Sequence, residues 1–223
     1  MSASEGQGAL YVQYGCGTCA PRTWTNFDAS ARLRLERSVI LGLFVRAAAG
    51  RLFPANVRFG DIVRGLPVAD GSAAAVFCSH VLEHLARDDL PIALRNTLRI
   101  LVPGGTFRLV VPDLQWRAAR YLAAAAKEEA AAADEFMGVC NFRVRRRPKT
   151  LLAAGRAAFG RSEHLWMYDF AALKSQLEQA GFVGIRRCEY GDAADPSFAM
   201  VEDKSRFVDG GQEELALEAL RPS

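Results

Sequence analysis

No stretch of this 223-residue chain approaches the roughly 20 consecutive apolar residues that span a bilayer. Its most apolar run, Val39-Ile40-Leu41-Gly42-Leu43-Phe44-Val45, is far too short. Met1 to Gly8 lacks the basic and apolar regions of a signal peptide. A soluble, cytoplasmic protein without a transmembrane segment is therefore expected. An excess of one charge is lacking too: 28 Lys and Arg against 25 Asp and Glu leave +3, too little for a general nucleic-acid binder, so no nucleic-acid partner is expected. Cysteines are few and odd in number, five in all, which excludes a complete disulfide framework and points to reduced thiols. No internal repeat is present.

What the chain does have is hydrophobic substance, 50% of its residues, enough for one α/β domain over 1–223 with a substantial core. Strand-like runs occur at Leu10–Tyr14, Trp24–Asp28, Asn56–Gly60, Ala74–Ser79 and Thr106–Val111, mostly separated by helical stretches, which implies a parallel sheet with right-handed crossovers. Between Asp89 and Val102, Leu90, Leu94, Leu98 and Leu101 share a helical face, with Asp89 as N-cap and Pro103-Gly104-Gly105 as the stop. A helix over Leu114–Lys127 leads into an arginine-rich connection, and together they form a basic, lid-like insertion at about 114–165. A later helix is framed by Asp169 and Gly181, with Phe170, Leu173 and Leu177 inward, and Gly184–Cys188 and Leu215–Leu220 read as closing strands. The segment Ser30–Phe53 reads as a buried helix with snorkelling arginines, a membrane-surface or substrate-facing helix being the alternative.

Tyr14-Gly15-Cys16-Gly17 follows the first strand, and its glycines permit a tight turn and a close backbone approach to a ligand. Asp28, ending the second strand, can accept from both hydroxyls of a ribose. Gly15-Cys16-Gly17-Thr18-Cys19-Ala20 also satisfies the dinucleotide fingerprint, but Pro21 and the early second strand leave no room for its helix. Cys16-Gly17-Thr18-Cys19 is a C-x-x-C without the second ligand pair or redox context it would need. His80-Val81-Leu82-Glu83-His84 matches H-x-x-E-H, which on a helix places two zinc ligands and a carboxylate on one face; a third ligand would have to come from Asp113, His164 or Glu202. Two further acids end strands: Asp61 can accept from an adenine amine while Ile62 covers the ring, and Asp113 is either a helix N-cap or a group beside the crevice.

Taken in order, Tyr14-Gly15-Cys16-Gly17, Trp24-Thr25-Asn26-Phe27-Asp28, Leu66-Pro67-Val68-Ala69-Asp70-Gly71-Ser72, Cys78-Ser79-His80-Val81-Leu82-Glu83-His84-Leu85, Arg99-Ile100-Leu101-Val102-Pro103-Gly104-Gly105, Leu109-Val110-Val111-Pro112-Asp113-Leu114, His164-Leu165-Trp166-Met167-Tyr168-Asp169 and Gly181-Phe182 resemble a class I S-adenosylmethionine-dependent methyltransferase of the type 11 kind, most closely a bacterial glycan-associated branch. The resemblance implies a Rossmann-like seven-stranded sheet, mostly parallel with an antiparallel last strand and helices on both faces. It implies S-adenosylmethionine as cofactor, with Gly15 and Gly17 toward its methionine part, Asp28 at the ribose, Asp61 and Ile62 at the adenine, Ser79 and His80 beside the sulfonium, and Tyr14 and Cys16 also among the cofactor-binding residues. The expected activity is O-methylation of a sugar, glycolipid precursor or related small acceptor, with no resident metal.

A hydroxyl acceptor needs a base, for which His84, Asp113 and His164 are the candidates. Seven basic residues and no acid between Asn141 and Arg161 (Arg143, Arg145, Arg146, Arg147, Lys149, Arg156, Arg161) are compatible with an anionic acceptor or a peripheral membrane contact. The alternatives from other classes are a zinc-dependent hydrolase built on H-x-x-E-H and a non-catalytic S-adenosylmethionine-binding protein.

Overall fold

The computed structural model describes residues 9–39, 42–43, 47, 50, 52–141 and 163–223. Arg143 to Arg161 of the basic segment, and part of the expected Ser30–Phe53 helix, lie outside these residues.

Eight strands are present among the described residues: β1 (Leu10–Tyr14), β2 (Trp24–Asp28), β3 (Val57–Phe59), β4 (Ala73–Ser79), β5 (Leu101–Pro112), β6 (Val183–Arg187), β7 (Val208–Asp209) and β8 (Gln212–Leu220). Seven form one sheet in the order β3-β2-β1-β4-β5-β8-β6, and β7 pairs with β8 alone. Pairings from β3 across to β5 are parallel, whereas β8 runs antiparallel to both neighbours, β5 and β6. The helices among the described residues are α1 (Ala31–Arg37), α2 (Leu90–Ile100), α3 (Leu114–Ala125), α4 (Ala132–Val139) and α5 (Phe170–Ala180).

Alternation along the strands builds two cores. In β4, Val76 and Cys78 face α2 and α5, where Leu90, Leu94, Leu173 and Leu177 are fully buried. Ala75 and Phe77 face the other way, onto Phe198, Val201 and Phe207. That second face is covered largely by the irregular segment between β6 and β8, with its 3-10 turns Pro196–Met200 and Lys204–Arg206, because residues 15–23 join β1 to β2 without a crossover helix. In α1, Leu33 and Glu36 are buried, Leu35 is exposed, and Arg37 donates to the carbonyls of Pro54, Ala55 and Val57, so this helix lies half-buried against the β3 edge with that arginine tied to backbone.

Helix α5 begins where Asp169 accepts from the Ala172 N–H and ends at Gly181 with φ +101°. Helix α2 begins at the expected place, but the Asp89 side chain makes no capping bond. Pro103-Gly104-Gly105 ends the helix at Ile100 as expected but lies within the first part of β5, where the register against β4 shifts between Ala73 and Ala75. Hence β5 is longer than the apolar run alone indicates.

Arg108 joins the sheet to its irregular cover. It sits fully buried in β5, ion-paired to Glu202, to Asp192 at 2.7 Å and to Glu218 at 3.0 Å, and donates to the Glu189 carbonyl at 2.6 Å. Removing one member of a buried network strands the charges left behind. Arg108→Ala is therefore expected to lower the unfolding free energy by about 3–5 kcal/mol in urea titrations; a loss within error of zero would contradict the network's role. Burial works against the Asp192 carboxylate, yet its hydrogen bonds from Arg186 and Arg108 outweigh this and hold its pKa down to about 2, from an ordinary 3.8. A depressed folded-state pKa contributes stability that is complete above the ordinary value and is lost as pH falls through the folded one. Asp192→Asn should accordingly flatten the loss of stability between about pH 4 and about pH 2, and an unaltered slope would count against it.

Candidate active site

The strand order reverses at β1, with β2 on one side and β4 on the other, so the connections leaving their carboxyl ends diverge and open a crevice, the position where open α/β sheets take ligands. A cavity of about 780 Å³ lies there, within the roughly 300–1,000 Å³ of small-molecule sites. Its walls come from the residues after four strands: Tyr14 and Gly15, Asp28 to Ala31, Gly60 to Arg64, and His80, Val81, His84 and Leu85.

Gly15 holds the first of these turns. Its φ is +67°, and a Cβ placed there would stand 2.1 Å from Val81 Cγ2. Only glycine accommodates both the left-handed backbone and that approach. The next residues stitch the turn to β2: Cys16 N–H donates to the Phe27 carbonyl at 3.0 Å and Gly17 N–H to Asp28 Oδ2 at 3.1 Å. Ser30 N–H donates to Asp28 Oδ1 at 2.8 Å. The buried Asp28 carboxylate is thus fixed by one backbone donor on each oxygen, and each keeps acceptor capacity toward the cavity. Asp61 accepts from the Val63 N–H at 2.9 Å and lies 3.5 Å from Arg64, while Ile62 is buried in the cavity wall.

Of the other expected cofactor residues, Tyr14 borders the cavity, whereas Cys16 and Ser79 do not line it. The Tyr14 ring is turned into the core beside Phe107, its hydroxyl 3.2 Å from Thr97 Oγ1, and burial raises its pKa well above the ordinary value. Cys16 and Ser79 line a separate recess of about 140 Å³ with Asp203 and Arg206. Burial, and after it the charge of Asp28, pushes the Cys16 thiol up to about 12, which removes the thiolate that redox chemistry needs. Cys19 is exposed, and all five cysteines are free.

His80 N–H continues the ladder by donating to the Val110 carbonyl at 2.9 Å, after which His80 takes φ +54° and turns Val81 toward Gly15. Leu82–His84 then forms a single 3-10 turn rather than an α-helix, so the i, i+4 zinc geometry of H-x-x-E-H does not arise. His80 instead reaches the Arg206 carbonyl with Nε2, at 3.1 Å, and Glu83 Oε1 with Nδ1, at 3.2 Å. Both neighbours are acceptors, which suits an imidazolium. Burial opposes that charge, but the contact with Glu83 and its charge prevail, and the His80 pKa is raised.

Glu83 is fully buried. Its carbonyl accepts from Leu165 N–H at 2.7 Å and Trp166 N–H at 3.1 Å, which brings His164 to the same place from far along the chain. The His84 and His164 rings lie 5.1 Å apart, edge to face. His84 lines the large cavity; His164 lines a second one of about 250 Å³ with Arg117 and Glu214, and His80 borders both. Burial, ahead of smaller opposing effects, lowers the His164 pKa and favours its neutral form.

Of the three candidate bases, the structure brings His84 and His164 together and leaves Asp113 apart. Asp113 caps α3, accepting from Gln115 N–H at 2.8 Å and Trp116 N–H at 3.3 Å, and lies 3.5 Å from Arg187. Glu202, a conceivable third ligand in the zinc reading, is committed to Arg108. The motif named Glu83 only as the carboxylate of a helical zinc site; its full burial and its backbone carbonyl's hold on Leu165 and Trp166 were not anticipated.

The methyltransferase domain family matches residues 11–186. Among solved structures, an S-adenosylmethionine-dependent methyltransferase from Methanosarcina mazei is similar at 14% identity, with 98% of this chain and 94% of that one covered and a TM-score of 0.51. One from Thermotoga maritima has 14% identity, 95% and 82% coverage and a TM-score of 0.47. Phosphoethanolamine N-methyltransferase 2 from Haemonchus contortus, in complex with S-adenosyl-L-methionine, has 10% identity, 99% and 50% coverage and a TM-score of 0.46. No curated protein matches.

The contact between Gly15 and Val81 yields a direct test. Gly15→Ala should destabilise the protein by about 1–3 kcal/mol through its left-handed backbone and the clash. Gly15→Ala/Val81→Ala should recover the steric part. Thermal melts in which Gly15→Ala matches the parent would refute the contact.

Proposed function

The chain belongs to the methyltransferase domain family, and on that footing we propose that it transfers a methyl group from S-adenosylmethionine to an oxygen of a sugar, glycolipid precursor or related small acceptor. The observation that carries the reading is the pairing of two cavities across His80: a large one at the strand-order reversal, with Asp28 and the Asp61-Ile62 pair on its wall, and a smaller polar one beyond it. The residues present suit the cofactor. Asp28 keeps acceptor capacity for ribose hydroxyls, and Ile62 offers an apolar surface beside the Asp61 carboxylate for an adenine ring.

The cofactor, when bound, supplies a methyl group on a positively charged sulfur. Displacement at such a carbon asks little of the protein beyond alignment and exclusion of water. Alignment here falls to backbone-locked groups: the Gly15 turn, Asp28 and His80. A hydroxyl acceptor must also lose a proton, and the Glu83, His84 and His164 cluster is where the chain can absorb that change of charge. By sequence, the basic run from Arg143 to Arg161 favours an acceptor bearing phosphate or carboxylate; Arg117 in the smaller cavity is already ion-paired to Glu214 at 2.8 Å.

Calorimetric titration of the whole chain with S-adenosylmethionine and S-adenosylhomocysteine tests the reading. Saturable binding of both is expected. Asp28→Ala should weaken it about 10- to 100-fold, the loss of charge-assisted hydrogen bonds. Failure of the folded parent to bind either ligand would overturn it.

A further inference from the structure

We propose that Glu83, His84 and His164 form a binding site for a divalent transition-metal ion of the zinc class, at the boundary between the two cavities. One ligand atom from each of the three lies within 4.8 Å of the others. Atoms around a tetrahedral zinc ion lie about 3.3 Å apart, a distance that modest side-chain rotations reach.

Each side chain is prepared for this role. His84 Nδ1 is 3.0 Å from the Glu163 carbonyl, which assigns the proton to that nitrogen and leaves Nε2 with a free lone pair. The His164 Nδ1 is buried without a hydrogen-bond partner. Histidines that bind metals characteristically donate their other N–H to a backbone carbonyl, and His84 does so here. Glu83 is fully buried and neither carboxylate oxygen has an aligned hydrogen bond. His80 makes an ionic contact with Oε1 and leaves Oε2 open.

The frame is rigid, because Leu165 and Trp166 N–H both donate to the Glu83 carbonyl. The chain contains three histidines, and all three meet at this carboxylate. Two neutral imidazoles and a carboxylate suit zinc and its neighbours better than magnesium or calcium, which prefer all-oxygen shells. Three protein ligands also leave a position open, as in catalytic zinc sites. Since His84 lines one cavity and His164 the other, an oxygen-bearing ligand can reach that position. The site stands independently of the methyl-transfer reading.

The test uses the full chain stripped by chelator and titrated calorimetrically with zinc chloride or magnesium chloride. One equivalent of zinc is expected, and no comparable binding of magnesium. His164→Ala and Glu83→Gln should each weaken zinc binding by at least about 100-fold, more than losing a group that only orients a ligand costs. His164 lies outside the large cavity, so retained S-adenosylhomocysteine binding reports that the variant is folded and separates this proposal from the cofactor reading. Cobalt substitution of the parent protein should give weak visible bands of a nitrogen and oxygen shell. Absence of zinc binding, zinc affinity unaltered in folded His164→Ala, or an intense thiolate-to-cobalt band pointing to cysteine would each overturn the proposal.

Discussion

A carboxylate taken out of water costs free energy unless other charges or donors replace its hydration, and Glu83, fully buried with neither carboxylate oxygen hydrogen-bonded, sets that constraint at the centre of this molecule. It lies under the turn that leaves β4, with its carbonyl holding Leu165 and Trp166 and its side chain facing imidazoles from two distant parts of the chain. Through the first contact it fixes the position of the segment before α5. Through the second it holds His80, whose left-handed backbone carries Val81 against Gly15. The shape of the crevice therefore depends on a residue that lines neither cavity.

The second face of the sheet is organised by an opposite charge. Arg108 projects from a central strand into the irregular cover and gathers Asp192, Glu202 and Glu218 around it. Phe198 and Phe207 lie near its guanidinium, 5.9 and 6.0 Å from ring centroid to Cζ. Arg206, whose carbonyl accepts from His80, belongs to the same cover. Charge burial on one face thus reaches the active crevice on the other edge, through a segment with little regular structure to position it.

Much of this was legible beforehand. An apolar run leading into Gly15 and a second strand-like run ending in Asp28 located β1 and β2 at their observed bounds, since strand ends at a ligand crevice carry both turn residues and acids. Asp169 and Gly181 marked α5 through local capping chemistry that needs no tertiary context. Asp113 was not decidable, because an acid between a strand and a helix looks the same whether it caps or catalyses. The meeting of His84 with His164 was not legible either: it depends on two backbone hydrogen bonds to the Glu83 carbonyl, which leave no trace in side-chain pattern. H-x-x-E-H misled about its own geometry for a related reason, as a left-handed His80 replaced the expected helix with one 3-10 turn. Arg108 hid inside the apolar run of β5, where a buried cation can be recognised only with its partners in view.

On the proposed function, the crevice at the strand-order reversal receives a nucleoside cofactor in one orientation. A crystal structure of the whole chain grown with S-adenosylhomocysteine tests it most directly. The ribose hydroxyls should fall within hydrogen-bond reach of Asp28, the adenine against Ile62, and the sulfur toward His80. Ligand density elsewhere, or in the crevice with the adenine at the His80 end, would contradict it.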